Sequence, residues 1–261
     1  MGRPRAGAVK KVGITVGKTR LLRWGLSGLV ILAALALLVH IPVKIAPSPP
    51  PEADEGPQPT AGPLAGLCVC VDPGHGGYDG GAYGRQTGTA EKELNLDVAL
   101  RLAAALRGRG AAVILTREED TALADPGENR KRRDLQYRVD CAAEADVFLS
   151  IHMNEYRSAG ESGPQVFYRA GAAESRLLAG ALQQAMNAAL APEKPRAAHT
   201  GEYYLLEHLS IPAVLVECGF LSNPREEGLL LTADYRARVA ESVCAGVEEY
   251  LRLRQNLANT P

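Results

Sequence analysis

The chain has 261 residues, a formal charge of −1 and 46% hydrophobic residues, which excludes a collagen-like or wholly disordered polymer. Its five cysteines (Cys68, Cys70, Cys141, Cys218 and Cys244) are scattered without Cys-x-x-Cys spacing. They read as small, mostly buried hydrophobes rather than a disulfide framework.

The charge is unevenly placed. Residues 1–25 carry seven basic groups and no acid, leaving 22 basic against 30 acidic residues in the remainder. A basic tail (1–23) ahead of an apolar run is the positive-inside pattern, and it points to a membrane rather than to nucleic acid. The 20 residues 24–43 contain no Lys, Arg, Asp or Glu. At about 1.5 Å per residue they are long enough to cross a hydrocarbon core of about 30 Å. Trp24 stands where an interfacial aromatic is expected. A cleaved signal peptide, and hence secretion, is the competing reading, but no small-x-small cleavage site directly follows Val43. The expectation is an uncleaved anchor with the amino terminus in the cytoplasm and the rest outside.

Residues 44–66 form a Pro-rich linker, with seven of the 17 prolines between Pro47 and Pro63. Such a stretch cannot bury a core. The folded domain is expected over 67–254, followed by a short tail (255–261).

Within that domain the apolar run Leu67 to Val71 predicts a strand. Glu91 to Arg107 carries Leu94, Val98, Leu102, Ala105 and Leu106 on one helical stripe, closed by Gly108 and Gly110. A strand at 112–115, a helix at about 130–143 and a strand at 146–151 follow. Further on come a strand at 165–168, a helix at 174–190 with Leu177, Leu178, Ala181, Ala185 and Ala188 inward, and a strand at 213–216. A last helix is expected at about 235–253. This alternation predicts an α/β fold, a mostly parallel sheet with helices on both faces. Preceding it are the transmembrane helix and the Pro-rich linker.

In open sheets of this kind ligands bind beyond the carboxyl ends of the strands. Three polar residues stand at that position: His75, in the glycine-rich stretch Val71-Asp72-Pro73-Gly74-His75-Gly76-Gly77, His152 and Glu217. A carboxylate directly after Ala-Val-Leu-Val is costly to bury without a partner. Glu91 begins its helix, where any acid favours the macrodipole, and it lies on the inward stripe. Two histidines and one glutamate make the three-ligand set of a catalytic zinc, with a second glutamate available as base. Spacing does not decide which glutamate plays which part. Asp72 and Asn154 are candidates to orient ligands, or simply to cap turns, and His199 is a candidate to line a groove.

The strings VDPGHGGYDGGAYG, EKELNLDVALRL, SIHMN and AVLVECGFLSNPREEGLL resemble, in order and spacing, the signature blocks of zinc-dependent N-acetylmuramoyl-L-alanine amidases. The likeness covers about residues 67–253. It implies one Zn²⁺ held by His75, Glu91 and His152, with Glu217 as catalytic acid/base. It also implies peptidoglycan as the substrate, cleaved between N-acetylmuramic acid and the L-alanine of the stem peptide. The third block departs from the usual pattern by having Glu155 after Asn154, which makes the adjoining groove wall more acidic. The TREEDTALA block, the RKRRDLQYRV helix start, the short loop before QVFY and the anchor resemble the germination-specific subfamily. That narrower likeness implies a role in forming muramic-δ-lactam in spore cortex. The loop from Glu155 to Pro164 is too short for an autoinhibitory helix, so control by location, expression or an accessory protein is expected. A different zinc hydrolase of the wall polymer (a peptidase or a deacetylase) and a silent, tethered wall-binding protein are the alternatives.

Overall fold

The computed structural model of the protein describes residues 62–259. The basic tail, the apolar span and most of the Pro-rich linker lie outside the described residues. Among those described, no helix is long and apolar enough to cross a membrane.

Packing begins before the expected Leu67. Leu64 is fully buried and its amide donates to the Arg109 carbonyl at 3.0 Å. Strand β1 (Cys68–Pro73) follows, with Val69 and Val71 on one face and Cys70 on the other. Helix α1 (Glu91–Gly108) buries Leu94, Val98, Leu102 and Leu106, spaced one turn apart, against the Val69 and Val71 face. It ends where Gly110 adopts φ 91°. Strand β2 (Ala112–Leu115) pairs parallel with β1 on its outer edge. Helix α2 (Arg130–Cys141) and strand β3 (Val147–Asn154) come next, β3 parallel to β1 on the other side.

The sheet is mixed rather than wholly parallel. Strand β4 (Gln165–Tyr168) runs antiparallel to strand β6 (Ala213–Phe220). Only ten residues separate β3 from β4, and a parallel return needs a crossover of a dozen or more. Helix α3 (Ala173–Leu190) then crosses back, a two-residue strand β5 (His199–Thr200) pairs parallel with β4, and the short helix α4 (Tyr204–His208) leads to β6. Strand β6 inserts parallel to β3, giving the order β2-β1-β3-β6-β4-β5. Helices α5 (Pro224–Leu230) and α6 (Ala233–Ala258) close the fold.

Two cores lie on opposite faces of the sheet, so the helices do cover both. One joins α1, α3 and α6 to the valines of β1 and β6; the other joins α2 and α4 to Cys70, Phe148 and Leu215. The inward face of α3 is Leu178, Ala181, Leu182, Met186 and Leu190, so the expected Leu178 and Ala181 do face inward, whereas the expected Ala188 is exposed. Gln183 also faces inward, because its side chain accepts from the Val166 amide at 2.9 Å and donates to the Pro164 carbonyl at 3.0 Å. All five cysteines are free, and Cys70, Cys218 and Cys244 are buried.

Helices α3 and α6 pass close at Gly246, where an added Cβ would sit 2.6 Å from Leu182 Cα, while Gly180 on α3 meets nothing within 4 Å. Alanine favours a helix over glycine by about 1 kcal/mol. Gly180→Ala should therefore stabilise the protein by up to about 1 kcal/mol in denaturant unfolding. Gly246→Ala should destabilise it by about 1–3 kcal/mol, because the helices must separate.

Candidate active site

On the face covered by α2 and α4, three adjacent strands change from apolar to polar along their length. The positions are Cys70 then Asp72 on β1, Phe148 then Ser150 and His152 on β3, and Leu215 then Glu217 on β6. Strands β3 and β6 run past the expected ends, Ile151 and Val216, so His152 and Glu217 are register partners inside the sheet. Beyond them the register shifts between His152 and Asn154.

His75 follows β1 by two residues and takes a left-handed backbone, φ 61°. The loop passes directly over His152. A Cβ on Gly74 would fall inside the His152 ring, and one on Gly81 would strike the Glu91 carboxylate. Both positions therefore require glycine.

Two buried arginines hold this loop. Arg117 donates through Nε to the carbonyls of Pro73 (3.0 Å) and His75 (2.9 Å), and through Nη2 to those of Gly74 (2.9 Å) and Lys92 (3.0 Å). Arg138 donates to Pro73 O at 2.9 Å and His75 O at 2.7 Å. Burial, with the Arg138 charge beside it, brings the Arg117 pKa down to about 10. Arg138 is itself paired with Asp134 and Asp72. Asp72, fully buried, also accepts from Thr116 Oγ1 at 2.6 Å and Ser150 Oγ at 2.7 Å. Burial alone would raise its pKa, but the Arg138 charge and the two hydroxyl bonds outweigh that and lower it. Asp72 thus supports the histidine loop through Arg138.

Glu91 occupies the first turn of α1, 3% exposed, between the two imidazoles. Its Oε2 lies 3.2 Å from His75 Nε2, and its Oε1 lies 2.9 Å from His152 Nδ1. The same carboxylate accepts from the amides of Ala82 (2.8 Å) and Met153 (3.1 Å) and from Asn95 Nδ2 (3.0 Å). Burial opposes its ionisation, yet the contacts from His152 and His75 hold it far below the ordinary carboxylate range. On its far side His75 Nδ1 is 3.0 Å from Asp79 Oδ1.

Ligand atoms of His75, Glu91 and His152 all lie within 4.8 Å of one another. Glu217 lies beside this group. One edge opens on the cavity, while its Oε2 is buried without a hydrogen-bond partner. Burial, then the Glu91 charge, raises its pKa well above the ordinary value. A partnerless buried carboxylate oxygen next to two imidazoles and a second carboxylate fits a divalent cation, whose charge offsets both acids. The donor set, two nitrogens and one carboxylate with room for a further ligand, fits zinc. All four side chains line one cavity of about 370 Å³, which Lys131, Leu135, Tyr203 and Tyr204 also line.

Asn154 lines the same cavity at the end of β3, and its carbonyl accepts from Leu221 N at 2.8 Å. His199 does not join the site. It is exposed on β5, paired in register with Phe167, and is not among the residues lining the cavity. Arg117, Arg138 and Asp79 were not marked by the sequence. The i,i+4 pair Asp134–Arg138 resembles an ordinary solvent-face pair. Glu226 and Glu227, in the last sequence block, have scaffolding contacts. Glu226 accepts from the amides of Gly163 and Phe220, and Glu227 from those of Gln86 and Thr87.

A family model described as N-acetylmuramoyl-L-alanine amidase matches residues 69–249. The chain belongs to that family. The germination-specific N-acetylmuramoyl-L-alanine amidase of Bacillus subtilis is 40% identical over 194 residues, covering 72% of this chain and 81% of that protein. The amidase LytC of the same organism is 36% identical, but the match covers 36% of its length. Among solved structures, the CwlD amidase of Clostridioides difficile, in complex with the GerS lipoprotein, superposes with a TM-score of 0.69. It is 32% identical, and the match covers 72% of this chain and 99% of that one.

Arg138→Met would strand Asp72 as a buried, unpaired charge. Denaturant unfolding at neutral pH should show a loss of about 3–5 kcal/mol. Because Asp72 has a lowered pKa in the fold, its stabilising share is present above the ordinary carboxylate pKa of about 4 and is lost as pH falls below it. The gap between variant and parent should therefore narrow under acid conditions.

Proposed function

We propose that this amidase hydrolyses the amide joining the lactyl group of N-acetylmuramic acid to the L-alanine of the stem peptide in peptidoglycan. The observation that carries the reading is the convergence of His75, Glu91 and His152 beside a buried Glu217 with a partnerless oxygen. His75, Glu91 and His152 would hold one zinc ion, which when bound would supply a Lewis acid and bring the pKa of water from 15.7 to about 7.

The protein's own groups perform the rest. Glu217 accepts the proton of the attacking water and returns it to the alanine nitrogen as the C–N bond breaks. Hydrogen bonds from Ala82, Asn95 and Met153 keep the Glu91 carboxylate aimed between the imidazoles. Asp79 holds the outer face of His75. The wall of Leu135, Tyr203 and Tyr204 limits water around the reacting amide.

The biological setting belongs to the same proposal. Forty per cent identity to a germination-specific amidase supports a role in making muramic-δ-lactam in spore cortex. The charge-free span 24–43 after a basic tail supports an anchor with the catalytic domain on the wall side of the membrane. An accessory protein is supported by the CwlD amidase, which is found in complex with a lipoprotein.

Glu217→Gln in the full-length protein should retain zinc, measured by metal analysis, and lose turnover by about 10²–10⁴. Mass spectrometry of digested cell wall should show intact stem peptides beginning with L-alanine from the parent and almost none from the variant. Near-parental turnover would remove Glu217 from the chemistry. Products cut within the stem, or deacetylated sugars, would replace the amidase reading.

A further inference from the structure

A second, open cavity adjoins the catalytic one. It is lined by Arg85, Glu155, Tyr156 and Arg157, and Glu155 lines both. On sequence alone Glu155 makes this wall acidic, but the structure brings two guanidinium groups to it, so the net charge of the lining is positive. Arg85 crosses from the loop after β1 and donates through Nη2 to the carbonyls of Tyr156 at 2.7 Å and Arg157 at 3.3 Å. Its charge is thereby fixed at the lip, with other N–H groups still free to donate. The Arg157 side chain is exposed and has no ion-pair partner among the described residues.

The chemistry of a muramoyl peptide selects what such a groove binds. Its N-acetylated sugars are neutral, and the lactyl carboxyl is tied up in the scissile amide. Negative charge begins on the stem, at the carboxylate of its second residue. Two extended residues span at most about 7 Å, so that carboxylate lies one groove away from the reacting carbon. Guanidinium forks match a carboxylate better than any neutral amide.

We propose that the Arg85–Arg157 groove is the subsite for the leaving stem peptide, and that it favours stems whose second residue keeps a free carboxylate over stems in which it is amidated. The assignment of direction rests on the amidase reading above. Arg157 is then a specificity determinant outside the catalytic group.

Calorimetric titration of the zinc-loaded, full-length protein tests this without turnover. The probes are a stem tripeptide, L-Ala-D-Glu followed by a diamino acid, and the same tripeptide with the second-residue carboxylate amidated. The acid should bind about tenfold more tightly than the amide. Arg157→Gln should abolish the difference, Arg157→Lys should keep part of it, and Arg132→Gln, outside the groove, should leave it unchanged. Equal affinities in the parent, or a preference that survives Arg157→Gln, would overturn the assignment. Cleavage of intact muropeptide is read separately and decides only the reaction proposed above.

Discussion

Two guanidinium groups wrapped around three successive carbonyls, those of Pro73, Gly74 and His75, are the interaction on which the site depends. His75 sits in a left-handed conformation, a strain of about 1–3 kcal/mol for a residue with a side chain, and it persists only where the surroundings over-determine it. Arg117 and Arg138 provide that constraint. Burying two cations side by side would be prohibitive in isolation. Asp72 and Asp134 neutralise Arg138, and carbonyl oxygens solvate Arg117 in place of water.

The sheet supplies the other half of the geometry. Register pairing of His152 with Glu217 fixes two of the four candidate side chains on neighbouring strands. The third, Glu91, arrives from the opposite layer, at the first turn of a helix whose buried stripe locks its rotation. Glycines at 74 and 81 let these parts approach closely. The result is a rigid first turn, a rigid strand pair and one loop, and only the loop needs to be held by side chains.

Of the four candidate residues, His75, His152 and Glu217 were legible because each follows the apolar run of a strand, whereas Glu91 was legible only as an acid opening a helix on its inward stripe, its part as a ligand coming from the resemblance. The arginine clamp was not legible, since its acceptors are backbone carbonyls and every residue has one. The direction of β4 turned on loop length, because ten residues between Asn154 and Gln165 are just too few for a crossover. On α3 the expected Leu178 and Ala181 are buried and Leu177 packs against the core, while Ala188 is exposed and Gln183 is inside. Alanine contributes little burial energy and occurs on both faces, whereas Gln183 is inside because its amide has two backbone partners. His199 was drawn in only by its residue type, and the fold leaves it exposed on β5.

Geometry of this kind makes a sharp statement about coordination. X-ray absorption at the zinc edge of the reconstituted full-length protein should show a first shell with two imidazole nitrogens at about 2.0–2.1 Å and carboxylate oxygen at about 2.0–2.2 Å. A shell with fewer than two imidazoles, or one containing sulfur, would contradict the account.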